Sequence, residues 1–219
     1  MTRIALLFDL DGTLVDTDLM HHEAFAQLLA ERGRPLSVEQ YRAEIMGQPN
    51  AALLERFFPG EDPAVLDRKE ALFREMLGAR VDPIAGIHTL LDWAESAGAG
   101  CAVVTNAPRD NAVAMLAAAS LAHRLPTLVI GEECERPKPD PQPYQVAMRA
   151  LGVTPSASVA FEDSRSGLRA ARAAGAHVFG LTTGLSPSEL LAAGAHAAIA
   201  DFSDPHLWQH LARLEARIG

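Results

Sequence analysis

Cysteine is nearly absent from this 219-residue chain, which contains only Cys101 and Cys134. The two form no C-x-x-C pair and join no Cys/His cluster, so neither a disulfide framework nor a zinc site is indicated. A reduced, cytoplasmic setting is the expectation. Cys101 lies in an apolar run and reads as a small hydrophobe. Long hydrophobic stretches are also missing. No apolar run approaches the length of a membrane span, and the N-terminus has no signal-peptide pattern. Positive charge is in deficit, with 19 Lys and Arg against 28 Asp and Glu and a net charge of −9. An overall negative chain repels the phosphate backbone, which argues against nucleic-acid binding. Pro/Ser-rich linkers, low-complexity tracts and convincing repeats are absent as well. What remains is 48% apolar and 21% charged, the composition of a globular protein large enough for one main core and a modest second module.

Apolar, β-rich runs alternate with helical stretches. Strands are expected at Ile4–Asp9, Cys101–Thr105, Thr127–Ile130, Val159–Glu162, His177–Leu181 and Ala197–Ala200. Helical periodicity occupies Ile87–Ala97, Asp110–Ala118, Pro141–Leu151, Ser166–Ala174, Ser188–Ala193 and Pro205–Ile218. Glycines 98, 152, 175 and 194 follow four of these helices as stop signals. Such alternation indicates an α/β fold with a doubly wound parallel sheet covered on both faces. One stretch breaks the pattern. Between Asp16 and Asp82 only helices are expected, at His21–Arg32, Ser37–Met46, Asn50–Phe58 and Pro63–Leu77. An all-helical insert just after the first strand reads as a lid. The expected division is therefore a core of residues 1–15 and 83–219 and a helical cap of residues 16–82.

The most informative segment is Asp9-Leu10-Asp11-Gly12-Thr13, which follows the apolar run Ile4–Phe8. Ligands of open α/β sheets bind at the carboxyl ends of strands. Two acids there repel each other, and a divalent cation is the usual remedy. Taken alone, the same acids could merely cap a turn and a helix. Three later segments share the placement. Val103-Val104-Thr105-Asn106 ends a strand in a hydroxyl and an amide that suit phosphate oxygens, although the pair is also a common helix N-cap. Lys138-Pro139-Asp140-Pro141 holds a cation on a stiff backbone, where it could neutralise both a carboxylate nucleophile and a transferring phosphoryl group. Phe161-Glu162-Asp163-Ser164, with Gly167 following, delivers hard oxygen donors suited to Mg2+.

In order and spacing, these four segments resemble the four motifs of the haloacid dehalogenase superfamily of phosphotransferases. The resemblance covers the whole chain and extends to the position of a small helical cap after the first strand of a Rossmann-like core. The runs Phe8–Thr17 and Phe161–Gly167 look most like the branch holding phosphoglycolate phosphatases, hexose-phosphate phosphatases and β-phosphoglucomutases. The resemblance implies an aspartyl-phosphate mechanism. Asp9 would be the nucleophile, already ionised at neutral pH. Asp11 would serve as general acid and then general base, its two-residue offset turning its side chain to the side of Asp9. Mg2+ would be held by Asp9, the Asp11 backbone carbonyl and Asp163, with Glu162 close by. Thr105, Asn106 and Lys138 would bind phosphoryl oxygens, and Thr13 would steady the turn. Because Asp11 is acidic, carbon–halogen chemistry is disfavoured.

Specificity should lie in the lid. His21 matches the cap-hinge histidine of the β-phosphoglucomutases, whereas His22 is expected to face water or pack on the lid. Met46-Gly47-Gln48-Pro49-Asn50 aligns with the mutase loop that reads a distal phosphate, but Asn50 stands where the mutases carry arginine. Without that guanidinium a bisphosphate is poorly held. Arg109 could touch phosphate or remain a surface residue, and Lys69 and Arg74 read as solvated lid charges. The leading expectation is Mg2+-dependent hydrolysis of small phosphomonoesters of the sugar-phosphate or phosphoglycolate class. A phosphosugar mutase and a non-catalytic phospho-ligand module are the alternatives. The expected partner is a small phosphorylated metabolite, with no nucleic acid or membrane, acting on a monomer or weak homodimer.

Overall fold

The computed structural model of the chain describes residues 4–46, 48 and 50–218. Its six strands are β1 (Ala5–Phe8), β2 (Gly100–Thr105), β3 (Leu128–Ile130), β4 (Ser158–Glu162), β5 (His177–Leu181) and β6 (Ala197–Ile199). They form one sheet in the order β3-β2-β1-β4-β5-β6, every neighbouring pair parallel. β1 is central, and the order reverses around it. A crevice at the carboxyl ends is expected at such a switch point.

The side-chain alternation of β1 explains the layering. Leu6 and Phe8 enter one apolar cluster, while Ala5 and Leu7 enter the cluster on the opposite face. A strand buried on both sides must be apolar throughout, as this one is. Phe8, Phe161 and Phe179 are register partners on β1, β4 and β5. Their rings stack at 5.0 and 5.9 Å. On that face pack α5 (Ile87–Ser96), α6 (Arg109–Ala118) and α10 (Pro205–Ile218). The other face carries α7 (Gln142–Leu151), α8 (Arg165–Ala173) and α9 (Pro187–Ala193).

Between β1 and α5 run four helices: α1 (Asp18–Ala30), α2 (Val38–Glu44), α3 (Asn50–Phe57) and α4 (Ala64–Leu77). They enclose an apolar cluster of their own, built on Phe25, Leu28, Tyr41, Leu53, Phe57 and Leu66. Two boundaries differ from the sequence reading in ways that affect the site. β1 ends at Phe8, so Asp9 and Asp11 lie beyond the strand, with Asp11 in an isolated bridge to Val15. Three N–H groups, those of Thr13, Leu14 and Val15, all converge on the Leu10 carbonyl and wind this segment into a tight turn. α1 starts at Asp18 instead of His21. Asp18 and His21 therefore share one helical face, three residues apart.

Remote from this end, three imidazoles stack at the start of β5. His177 lies 3.7 Å from the His210 ring and 4.2 Å from the His196 ring. His196 Nδ1 accepts the Val178 N–H. Burial, together with His210, His196 and Arg172, lowers the His177 pKa to about 3. An unfolded histidine titrates near 6.5, so below that value the unfolded chain binds the extra proton and stability falls with pH. The thermal midpoint is expected to drop between pH 7.5 and 5, and His177→Phe should drop less. Equal falls in the two proteins would show that the stack is not the acid-sensitive element.

Candidate active site

The carboxyl ends of β1, β2 and β4 and the loop before α7 meet under helices α1 and α4. The resulting small cavity, about 100 Å³, is lined by Asp9, Asp11, Thr105, Asn106, Lys138 and Asp163, among others. The Asp9 N–H donates to the Phe161 carbonyl at 3.0 Å, which pins the exit of β1 against the end of β4.

Lys138 organises the acids. Its Nζ donates to Asp9 Oδ1 at 2.6 Å and to Glu162 Oε1 at 2.5 Å. The side chain is only 2% exposed. Its backbone is clamped by Asn106, whose Oδ1 accepts the Lys138 N–H and whose Nδ2 donates to the Lys138 carbonyl. The amide that reads in sequence as a phosphate ligand thus sets the position of the cation. Thr105 Oγ1 accepts the Ala107 N–H at 3.0 Å, which leaves the hydroxyl proton available to an oxyanion.

Glu162 is fully committed. Besides Lys138 it accepts from Tyr144 at 2.6 Å and from Ser164 at 3.2 Å. Asp9, Glu162 and Asp163 each offer one carboxylate oxygen, all within 4.8 Å of one another. Burial, then Glu162, pushes the Asp9 pKa well up against the pull of Lys138. Asp163 is raised for similar reasons: burial first, then Asp9 and Glu162. Thr13 Oγ1 lies 3.5 Å from Asp163 Oδ1. One ammonium cannot balance these carboxylates, and their oxygens are hard donors. The set fits a divalent cation, with Asp9 and Asp163 the acids free to hold it.

Two glycines make this packing possible. Gly12 has φ +71°, and a Cβ there would sit 2.2 Å from Asp163 Oδ2. At Gly167 a Cβ would fall within 2.1 Å of both Glu162 carboxylate oxygens.

Asp11 faces the four-helix segment. Its Oδ1 accepts from Thr17 Oγ1 at 2.6 Å and lies 2.8 Å from His21 Nε2. His21 Nδ1 is 2.8 Å from Lys69 Nζ. An ammonium only donates, so Nδ1 is the acceptor and Nε2 carries the proton toward Asp11. The ring stacks on Phe73 at 3.8 Å. Burial pushes the Asp11 carboxyl up, but His21, Thr17 and Lys69 outweigh it and hold the pKa below the usual range. The chain of contacts continues. Lys69 donates to Glu70, Asn111 on α6 donates to Glu70 at 2.6 Å, and Arg74 donates to Asn111. Asn50 also donates to Glu70, at 3.0 Å.

Lys69 therefore does not face solvent as the sequence reading expected; it is 4% exposed. A signal was present, because Lys69 and Glu70 occupy the apolar stripe Leu66, Phe73, Leu77 of α4. Tyr144 and Asn111 carried no comparable mark. His22 packs on the helices, with Nε2 3.1 Å from the Leu36 carbonyl. Arg109 pairs with Glu133 at the surface and makes no contact in the cavity. Of the loop expected to read a distal group, Gly47 and Pro49 lie outside the described residues.

The fold and this arrangement of acids around a buried lysine define a class, and the comparisons agree. Residues 6–181 match the haloacid dehalogenase-like hydrolase family, and the chain belongs to it. A phosphorylated carbohydrates phosphatase of Thermotoga maritima is 30% identical over 206 residues, covering 89% of this chain and 93% of the relative. Protein CbbY of Rhodobacter capsulatus is 33% identical, covering 93% of each. The crystal structure of CbbY from Rhodobacter sphaeroides in complex with xylulose-(1,5)bisphosphate superposes with a TM-score of 0.81 at 28% identity, over 93% of this chain and 96% of that one. Among the described residues, no helix is long and apolar enough to cross a membrane.

Gly167→Ala should destabilise the protein by about 1–3 kcal/mol, the usual cost of overpacking. It should also displace Glu162 and lower activity. Urea unfolding of the two proteins measures this, and superimposable curves would mean that Glu162 is not tightly held.

Proposed function

We propose that this protein is a divalent-cation-dependent phosphatase of small phosphomonoesters, with Asp9 as nucleophile. The observation that carries the reading is the bridge of Lys138 Nζ between Asp9 and Glu162, beside Asp163, in the cavity at the carboxyl ends of the strands. The relatives named phosphatases support it.

In this reading residues 16–82 are a cap over a core formed by residues 1–15 and 83–219. Asp9 and Asp163, with the Asp11 carbonyl, would hold Mg2+, whose role is to offset charge between nucleophile and phosphoryl group. Lys138 orients Asp9 and shields its charge, while Thr105 donates to a phosphoryl oxygen. An Asp9 carboxylate oxygen bonds to phosphorus as the ester P–O bond breaks. Asp11 protonates the departing alkoxide. It then takes a proton from water, which attacks phosphorus, breaks the bond to Asp9 and releases inorganic phosphate. Held low by His21, Asp11 is ionised before substrate arrives. An incoming phosphoryl anion raises its proton affinity, which supplies the acid form when it is needed. His21 acts through Asp11, fixed in one tautomer by Lys69.

Asp9→Asn is expected to abolish phosphate release from p-nitrophenyl phosphate. Asp11→Asn should slow it by roughly 10²–10⁴-fold with KM little changed. Removing divalent cations with EDTA should stop turnover, and adding Mg2+ back should restore it. Full activity of Asp9→Asn would remove that carboxylate from the nucleophilic role, and indifference to EDTA would remove the cation.

A further inference from the structure

The stretch of cavity wall that holds Asp18 has its own chemistry, and it bears on what the departing alcohol can be. Asp18 lines it from the first turn of α1 and is only 7% exposed. Its carboxylate makes no hydrogen bond or ion pair among the described residues, and Oδ2 is buried without a partner. Buried polar groups are normally satisfied, and a buried unpaired carboxylate is costly. Arg42 is near enough to act on it electrostatically, but that side chain is exposed and does not line the cavity. Apolar Ile45 and Leu53, with Tyr41, form the neighbouring surface.

The cations of the cavity are already engaged. The cationic side chains lining the cavity, among the described residues, are Lys69 and Lys138. Lys138 is bound to Asp9 and Glu162. Lys69 is bound to Glu70 and His21 and lies over the Phe25 ring at 4.8 Å. Asn50 is neutral and donates to Glu70. A second anionic group on the substrate would meet Asp18 with no free cation to receive it. A hydrogen-bond donor in the cavity would instead meet Oδ1, the Asp18 oxygen that is also unpaired among the described residues but is not sealed off as Oδ2 is, while apolar neighbours cover the C–H face of a ring or chain.

We propose that Asp18 reads the leaving group by accepting a hydrogen bond from a hydroxyl or ammonium, and so selects sugar-type monophosphates that carry no second acidic group. The inference rests on the phosphatase reading above and narrows it. It separates this chain from the relative whose crystal holds a bisphosphate, and it places phosphoglycolate, whose departing alkoxide carries a carboxylate, among the poor substrates.

The test uses the full chain with Mg2+ and five esters: p-nitrophenyl phosphate, glucose 6-phosphate, glucosamine 6-phosphate, phosphoglycolate and fructose 1,6-bisphosphate. The better sugar monophosphate should exceed both phosphoglycolate and the bisphosphate at least about tenfold in kcat/KM, the effect expected of one charge-assisted hydrogen bond. Asp18→Ala should lower the ratio of sugar to aryl phosphate activity by a similar factor, mainly through KM. Asp18→Asn keeps an acceptor but loses the charge. It should retain much of the glucose 6-phosphate activity if the partner is a hydroxyl, and lose a preference for glucosamine 6-phosphate if it is an ammonium. Neither substitution should lower the thermal midpoint at pH 7.5 by more than a degree or two, because an unpaired buried charge is removed; a purely structural aspartate would lower it further. Preference for phosphoglycolate or the bisphosphate, an unchanged ratio in Asp18→Ala, or a fall of several degrees in both variants would overturn the role of Asp18 while aryl phosphate hydrolysis still stood. Absence of phosphate release from every ester would overturn the phosphatase reading and this inference together.

Discussion

One buried ammonium makes the rest of the site possible. Without Lys138, the ends of β1 and β4 would bring Asp9, Glu162 and Asp163 into a dry space with nothing to balance them. Burying even one unpaired carboxylate costs several kcal/mol. The fold therefore fixes the cation with care. Asn106 grips its backbone from both sides, the Tyr144 ring lies under Nζ at 5.2 Å, and Glu162 is held in turn by the Tyr144 and Ser164 hydroxyls. A residual negative charge remains around Asp9 and Asp163. That imbalance suits the three acids to a further positive centre, which a divalent cation could supply.

A second network ties the four-helix segment to the sheet. From Asp11 it passes through His21, Lys69 and Glu70 to Asn111 on α6. Polar atoms in this path satisfy one another, so the charges stay buried without being orphaned. The same path acts on Asp11, whose donors are Thr17, at the N-cap of α1, and His21, within that helix. The proton affinity of Asp11 is in this way coupled to the position of α1 and α4. A displacement of those helices would release Asp11 from His21 and let its pKa rise.

The arrangement of the sheet and the four segments at its strand ends was legible because each depends on a short local pattern. Ala5–Phe8 is apolar on both alternating faces, Gly12 permits the turn that follows, and Glu162-Asp163 ends another apolar strand. Roles that depend on distant partners were not legible. Lys69 carried one local signal, its place on the apolar stripe of α4, but its partner His21 is 48 residues away in sequence. The grip of the Asn106 amide on the backbone of Lys138 was hidden as well, because nothing local reveals it. Asp18 escaped notice for a third reason. The helix was expected to begin at His21, and a three-residue shift in its start rotates that aspartate from a loop onto the cavity wall.

Positive charge elsewhere on the molecule comes from arginine, since Lys69 and Lys138 are the only lysines in the sequence. Both are at least 95% buried, and both face the same small chamber. The protein thus presents no flexible ε-amine to its surroundings, and its surface ion pairs, such as Arg32 with Glu61, use the planar guanidinium. Amine-directed acylating reagents, which ordinarily decorate a protein's exterior, would reach a lysine side chain here only by entering the chamber, so that any ε-acylation they produce would report on access to it.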